Sequence, residues 1–238
     1  MKVSERGGGR ALLIGNSRWH WAQRNQNGGQ VDHGAPDPER IGIAPPIWAA
    51  VGPVPEQLRA HQDLRVRLED VPLLKAPPWL GVDRALGAWM AWRCSQERQL
   101  DCSRGLILVD AGTVLSLTRL NADGCFAGGQ LIPGYRLQLR AMAEGTVGLP
   151  STPEFAEDVF PQDVFPQETV AAMQRGVLQA LLASIAVAQQ HSRGLVWICG
   201  GDANLLQTHW RGASELLQVE GDLQLQALLD LAAGISSS

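Results

Sequence analysis

The sequence predicts an α/β protein, and three observations carry that reading. Short apolar runs of strand length, Ala11 to Ile14, Pro46 to Val51, Leu106 to Val109 and Leu195 to Cys199, each stop at a glycine or an acid. Stretches with helical spacing alternate with them. From Asp83 to Arg98 the apolar residues Leu86, Trp89, Met90 and Trp92 are spaced for a helix, and Glu168 to Gln190 is a long Ala- and Leu-rich helix. A strand, a turn of small residues and a second strand occur twice, around Gly15-Asn16-Ser17 and around Gly112-Thr113. The two copies share little identity, so on residues alone the echo suits a duplicated domain or a coincidence of glycine turns.

In chain order, residues 1–10 (MKVSERGGGR) are polar and Gly-rich with no apolar segment behind them, which reads as a flexible tail and not a signal peptide. After the strand at Ala11, a second runs from Arg18 to Ala22. Arg24 to Arg40 is polar and rich in Gly, Asn and Asp, which reads as a surface loop. Pro55 to His61 suggests a short helix with proline in its first turn, and Leu64 to Leu68 a strand. Pro77-Pro78 precedes the helix from Asp83, whose N-terminal dipole favours a carboxylate there. The polar stretch Gln96 to Arg104 marks a boundary between domains 11–103 and 104–238.

The second domain opens with the stretch from Asp110 to Gly134, DAGTVLSLTRLNADGCFAGGQLIPG. Two β-rich runs, Thr113 to Leu120 and Cys125 to Ile132, flank the hairpin turn Asn121-Ala122-Asp123-Gly124. Glycines at 112, 128, 129 and 134 leave backbone N–H groups uncovered, a surface that accepts phosphate oxygens. A helix follows Gly134 to about Ala143. Ser151 to Gln167 is a loop containing a tandem repeat, Asp158 to Gln162 and Asp163 to Gln167, both DVFPQ. That repeat is a replication slip in a tolerant place, or its phenylalanines pack on a partner subunit. Gly200-Gly201 turns the last apolar strand into a helix near Asp202, and a final helix, Leu223 to Leu231, precedes a serine tail.

Bulk properties exclude several classes. With 238 residues the chain forms one large domain or two small ones and buries a substantial core. A net charge of −4 offers no broad basic face, so no nucleic-acid partner is expected. No GxxxxGK[ST] occurs, and the only lysines are Lys2 and Lys75, so this is not a P-loop enzyme. No apolar run approaches the roughly 20 residues of a membrane span. Cys94, Cys102, Cys125 and Cys199 form no CxxC pair and read as buried reduced thiols, which fits a cytoplasmic protein. The five histidines have no metal spacing.

The DAGT at 110–113, Gly128-Gly129 and Ile132-Pro133-Gly134 resemble the central block of the type III pantothenate kinases, within the acetate and sugar kinase, heat-shock ATPase and actin superfamily. Gly81-Val82-Asp83-Arg84 resembles the family's GxDR element, and Thr146 to Pro150 its TAxLP segment. Glu168 to Met173 resembles NTxxAM, and Gly200 to Ala203 the late Gly-Gly turn. These motifs keep family order from about Leu13 to Ala203.

The resemblance implies two RNase H-like, actin-like ATPase domains with a nucleotide cleft between them, and ATP-dependent phosphorylation of pantothenate by a homodimer. It implies ATP, Mg²⁺ and a monovalent cation, K⁺ or NH₄⁺, as requirements. Carried over by motif, Asp83 is the general base, an acceptor for the proton of a poorly nucleophilic alcohol. Gly81, Val82 and Arg84 hold pantothenate with it, and Thr169 contacts pantothenate near the dimer interface. Leu13, Ile14, Gly15, Asn16, Ser17, Arg18, Trp19 and His20 form the first ATP loop, Thr113 contacts phosphate, and Asp110 binds the monovalent cation.

The chain departs from the pattern in places. Leu13 stands where the first loop has an acid, and Leu74 falls near the place of the family's substrate-contacting tyrosine, which is absent here. Thr118 replaces an Asp, and Glu168-Thr169 replaces NT. Two alternatives therefore stand beside the kinase: a weakened family member serving as a nucleotide-binding accessory, and a kinase of another small alcohol.

Overall fold

The computed structural model describes residues 9–25, 28–42, 44–151, 161 and 163–234. Most of the expected N-terminal tail, the serine tail and most of the first DVFPQ copy lie outside them. The elements, in chain order, are β1 (Arg10–Ile14), β2 (Trp19–Asn25), β3 (Gly28–Gly34), β4 (Ile47–Ala50), α1 (Val82–Glu97), β5 (Leu106–Ala111) and β6 (Val114–Leu120). They continue as β7 (Phe126–Pro133), α2 (Tyr135–Gly145), α3 (Thr169–Ser192), β8 (Leu195–Cys199), α4 (Ala203–Thr208), β9 (Leu217–Val219) and α5 (Leu223–Ala232).

The chain divides into two compact units. One holds residues 1–106, 119–128 and 222–238; the other holds 107–118 and 129–221. In the first, the sheet order is β3-β2-β1-β4, with β1 antiparallel to β2 and parallel to β4. Period-2 alternation sorts the side chains. Leu12, Ile14, Trp19, Trp21 and Trp48 share one face and form a core with Ile41 and Leu58. Helix α5 packs on α1, β1, β2 and β4, so the last helix of the chain closes the sheet built by its first strands. Asp230 of α5 anchors it by accepting from Arg24 and Arg93, each at 2.9 Å.

The second sheet has the order β7-β6-β5-β8-β9, with β8 parallel to β9. Leaving out β9, its connectivity repeats that of the first sheet, which supports the duplicated strand–turn–strand reading. Ile107, Val109 and Ala111 of β5, Leu115 and Leu117 of β6, and Val196 and Ile198 of β8 alternate onto one face. There they meet Leu139 of α2 and Met173, Val177, Leu178, Leu181 and Ile185 of α3. The β6–β7 turn is built as its sequence predicts. Gly124 takes φ +72°, and the Asn121 side-chain oxygen accepts from the N–H groups of Asp123 and Cys125 at 3.0 and 2.9 Å.

Five expectations change. Arg24 to Arg40 is not all loop: it contains the end of β2 and the whole of β3, paired antiparallel with β2. An edge strand has one free side, so it is held by its ladder and needs little apolar sequence. Asp32 of β3 also pairs with Arg40, whose guanidinium lies 4.9 Å from the Trp21 ring centroid. Leu64 to Leu68 contributes one bridge, Arg65 to Trp48, and no strand, while the Pro55 helix is only a 3₁₀ turn at Glu56–Leu58. Cys102 sits half-buried in the loop before β5 while the other three cysteines are buried, and none of the four is in a disulfide. Finally, α3 is long and apolar enough, by length and composition, to cross a membrane. Its Met173–Ile185 face is nonetheless core of the second unit.

Candidate functional site

In the first unit the site grows from the end of β1. Leu13 is 7% exposed, with Ala49 of β4 and His20 of β2 as its register partners. A hydrophobic side chain there completes the sheet and presents no ligand. Ile14 is buried as well, and the chain then turns tightly: the Gly15 N–H donates to the Arg18 carbonyl at 3.0 Å. Asn16, Ser17 and Arg18 are exposed on the turn, while Trp19 returns to the core. The loop is backed by Gly52, where a Cβ would fall 2.2 Å from the Gly15 carbonyl oxygen. No side chain fits between these two backbones.

The same end of β4 meets the second element. A Cβ on Gly81 would lie 3.8 Å from Val51 Cγ1 and 2.5 Å from Asp83 Oδ1. Gly81 is the N-cap of α1, Val82 is buried, and Asp83 is the second helical residue. Residues 51 and 52 thus join the first loop and the Gly81–Arg84 element within one unit. Asp83 Oδ1 accepts the Arg84 N–H at 2.8 Å. Burial nevertheless raises the Asp83 carboxyl above the usual aspartate range, against the opposing pull of that bond and of the Arg84 charge. The helix dipole was expected to favour the carboxylate; desolvation outweighs it.

In the second unit, Asp110 lies near the end of β5, half-buried, on the face opposite the Ile107–Val109–Ala111 core. Gly200 crosses beside it with φ +90°, and a Cβ there would come within 2.7 Å of Asp110 Oδ1 and 2.6 Å of the Ala111 carbonyl oxygen. Asp202 N–H donates to that same carbonyl at 3.0 Å. Thr113 is exposed in the β5–β6 turn, and its carbonyl accepts the Gly134 N–H at 2.9 Å. Asp110, Thr113, Gly134 and Gly200–Asp202 therefore meet at one end of this sheet. Thr169 is the exposed first residue of α3.

Two features here escape sequence reading. Arg136, at the start of α2, stands 3.6 Å from Asp202. Tyr135, the only tyrosine, is buried beside them, and its phenol is pushed well above its ordinary value by burial and then by the Asp202 charge. The acid directly after Gly200-Gly201 was the available signal.

Two sheets of repeated connectivity, with small-residue loops at strand ends, give the fold of the sugar kinases and actin-like ATPases. A solved structure assigned as a 2-dehydro-3-deoxygalactonokinase from Sinorhizobium meliloti shares the fold at TM-score 0.51 and 14% identity, over 94% of this chain and 97% of that one. A Baf family transcriptional activator from Campylobacter jejuni shares it at TM-score 0.64 and 17% identity, over 95% and 100%. The family model for type III pantothenate kinase matches residues 60–191. Proteins named type III pantothenate kinase from Synechococcus elongatus and Thermosynechococcus vestitus are 32% and 36% identical. These matches cover 82% and 81% of this chain, and 85% and 76% of the relatives. The chain belongs to the type III pantothenate kinase family.

The raised Asp83 pKa makes a stability statement. An acid whose folded pKa lies above its unfolded value stabilises the fold below the ordinary aspartate range, about 4. That contribution is lost as pH rises through the folded value, and above it the desolvated carboxylate opposes folding. Asp83→Asn should therefore melt higher than wild type at pH 7.5, with the difference vanishing toward pH 4. Thermal unfolding across this range checks it, and an equal or lower melting point at pH 7.5 refutes it.

Proposed function

We infer that this chain transfers the terminal phosphoryl group of ATP to the primary hydroxyl of pantothenate. The product is 4′-phosphopantothenate, and the step is the first of coenzyme A synthesis. Family membership over most of the chain is the observation that carries this reading. In it Asp83 accepts the hydroxyl proton while Gly81, Val82 and Arg84 hold the substrate. The desolvated carboxyl supports that role, since a raised pKa makes a stronger proton acceptor than a free aspartate.

The loop from Leu13 to His20 and the Thr113 hydroxyl receive ATP. Positioning and charge neutralisation dominate such transfers, and the divalent ion that comes with ATP supplies the second. Leu13 offers that ion no oxygen, so it is held through the nucleotide's own oxygens, with Asn16 and Ser17 on the exposed turn. Asp110 is assigned to K⁺ or NH₄⁺: it is a half-buried carboxylate facing backbone that carries no side chain at Gly200.

The enzyme acts in the cytoplasm as a homodimer. Thr169, Ala172, Gly176, Ala180, Ala183 and Val187 are all exposed and recur at helical spacing along α3, with Val187 63% exposed. A second copy packed on this stripe buries it, and Thr169, which the family motif assigns to pantothenate, then sits at its edge.

Asp83→Asn should reduce turnover of pantothenate about 10²–10⁴-fold while leaving ATP binding intact. A coupled ADP-release assay and calorimetric ATP titration measure the two. Retention of a tenth or more of the wild-type rate removes Asp83 as the base, and wild type that binds ATP without phosphorylating pantothenate points to the accessory role.

Rates should be high in K⁺ or NH₄⁺ and poor in Na⁺ at matched ionic strength, with Asp110→Ala losing both rate and ion preference. Equal rates in the three salts would refute the Asp110 assignment.

Light scattering at micromolar concentration should give twice the chain mass, and Ala180→Glu, placing a charge in the stripe, should shift it toward the monomer. A wild-type monomer with full activity would end the dimer reading.

A further inference from the structure

Beside Leu13, the sheet of the first unit carries a row of side chains that extends beyond the first loop motif. Ala49, Leu13, His20 and His33 are successive register partners across β4, β1, β2 and β3. They stand on one face, opposite the tryptophan-rich core. The two imidazoles meet at 2.8 Å between Nδ1 atoms, with ring planes at 64°. On its outer side His33 Nε2 lies 3.2 Å from Asp222 Oδ1, at the N-cap of α5. On its inner side His20 Nε2 reaches the first nucleotide loop, 3.6 Å from where a Gly15 Cβ would stand. The result is a continuous chain: Asp222, His33, His20, loop.

The partners fix where the protons sit. A carboxylate only accepts, so His33 Nε2 carries hydrogen. Two nitrogens at 2.8 Å hold one hydrogen between them. With one hydrogen on His33, placed at Nε2 toward Asp222, its Nδ1 accepts and His20 Nδ1 donates. His20 Nε2 is then left with a bare lone pair aimed at the loop. Burial, the largest cause, and the Arg18 charge hold the His20 pKa down to about 4, so this ring is neutral at physiological pH.

A lone pair repels phosphate oxygens and accepts from water. Leu13, its cross-strand neighbour, has nothing to offer the hydrated cation that accompanies a nucleotide. We propose that His20 is a positioning residue of the first nucleotide loop: its Nε2 accepts a hydrogen bond from the water shell of the divalent ion carried by ATP, and His33 and Asp222 hold the ring in the tautomer that can do so. This rests on the assignment of the loop to ATP. The role that an acid at position 13 would fill is supplied from the next strand.

Two measurements test it. In the intact chain, ¹⁵N imidazole spectra at neutral pH should show His20 protonated at Nδ1 and bare at Nε2. The His33→Phe variant, which keeps a ring but no nitrogen, should scramble that signature. Calorimetry should show that His20→Leu weakens binding of Mg²⁺-ATP about tenfold, the loss of one good hydrogen bond. ATP in EDTA should bind wild type and variant alike, and His20→Gln, with an amide oxygen in place of Nε2, should recover most of the Mg²⁺-ATP affinity. An Nε2–H tautomer in the wild type overturns the proposal without any variant. Equal losses with and without Mg²⁺ also overturn it, since they mark a structural role. A wild-type chain that binds neither form of ATP defeats the nucleotide reading itself, a different result from wild-type binding that His20→Leu leaves unchanged.

Discussion

Backbone approaching backbone more closely than any side chain allows is the constraint on which both candidate sites rest. At the end of β1, Gly52 lies against the Gly15 carbonyl, and a Cβ there would sit 2.2 Å away. At the end of β5, Gly200 lies against Ala111 and Asp110 in the same fashion. Each contact brings a crossing strand end up to a turn and leaves that turn without side-chain cover. Polar backbone is thereby concentrated at two loops, one in each unit, built on sheets of the same connectivity. The carboxylates follow from this arrangement. Asp83 is desolvated because α1 begins where the chain has already closed in on itself, and Asp110 is half-buried because Gly200 crosses so near.

Much of this was legible because the deciding signals are local. Strands β1, β5 and β8 are apolar runs ended by glycine or an acid, the β6–β7 turn declares itself through Asn121 and Gly124, and α1 through the spacing of Leu86, Trp89 and Met90. Strand β3 was not legible, since GGQVDHG has the composition of a loop and owes its shape to the β2 ladder. Leu64 to Leu68 failed in the opposite sense: it has strand composition, but only Arg65 finds a partner. For Asp83 the dipole of a helix start can be read from sequence while its desolvation cannot, and the latter dominates. His33 and Asp222 carry no motif, and they come to His20 only through strand register and the return of α5.

The first unit also shows how a polar row is placed in an apolar sheet. Alternation along β1 and β2 assigns Leu12, Ile14, Trp19 and Trp21 to the core and leaves Leu13 and His20 on the opposite face. The histidine is partly buried without being stranded, because His33 and then Asp222 satisfy it in series toward the exposed edge of the sheet. A buried polar group held this way has few orientations left to it.

The position of α5 bears on how the chain is made. A ribosome releases β1, β2 and β4 first, yet the helix that packs on all three is the last element of the chain. Through the synthesis of the whole second unit, Ala11, Leu13 and the face they share stay without their covering helix. The second unit needs nothing later than its own β9, so it can close first. The first unit is complete only once α5 has been made, and the loop between β1 and β2 acquires its full surroundings only when Asp222 and the helix it caps have emerged.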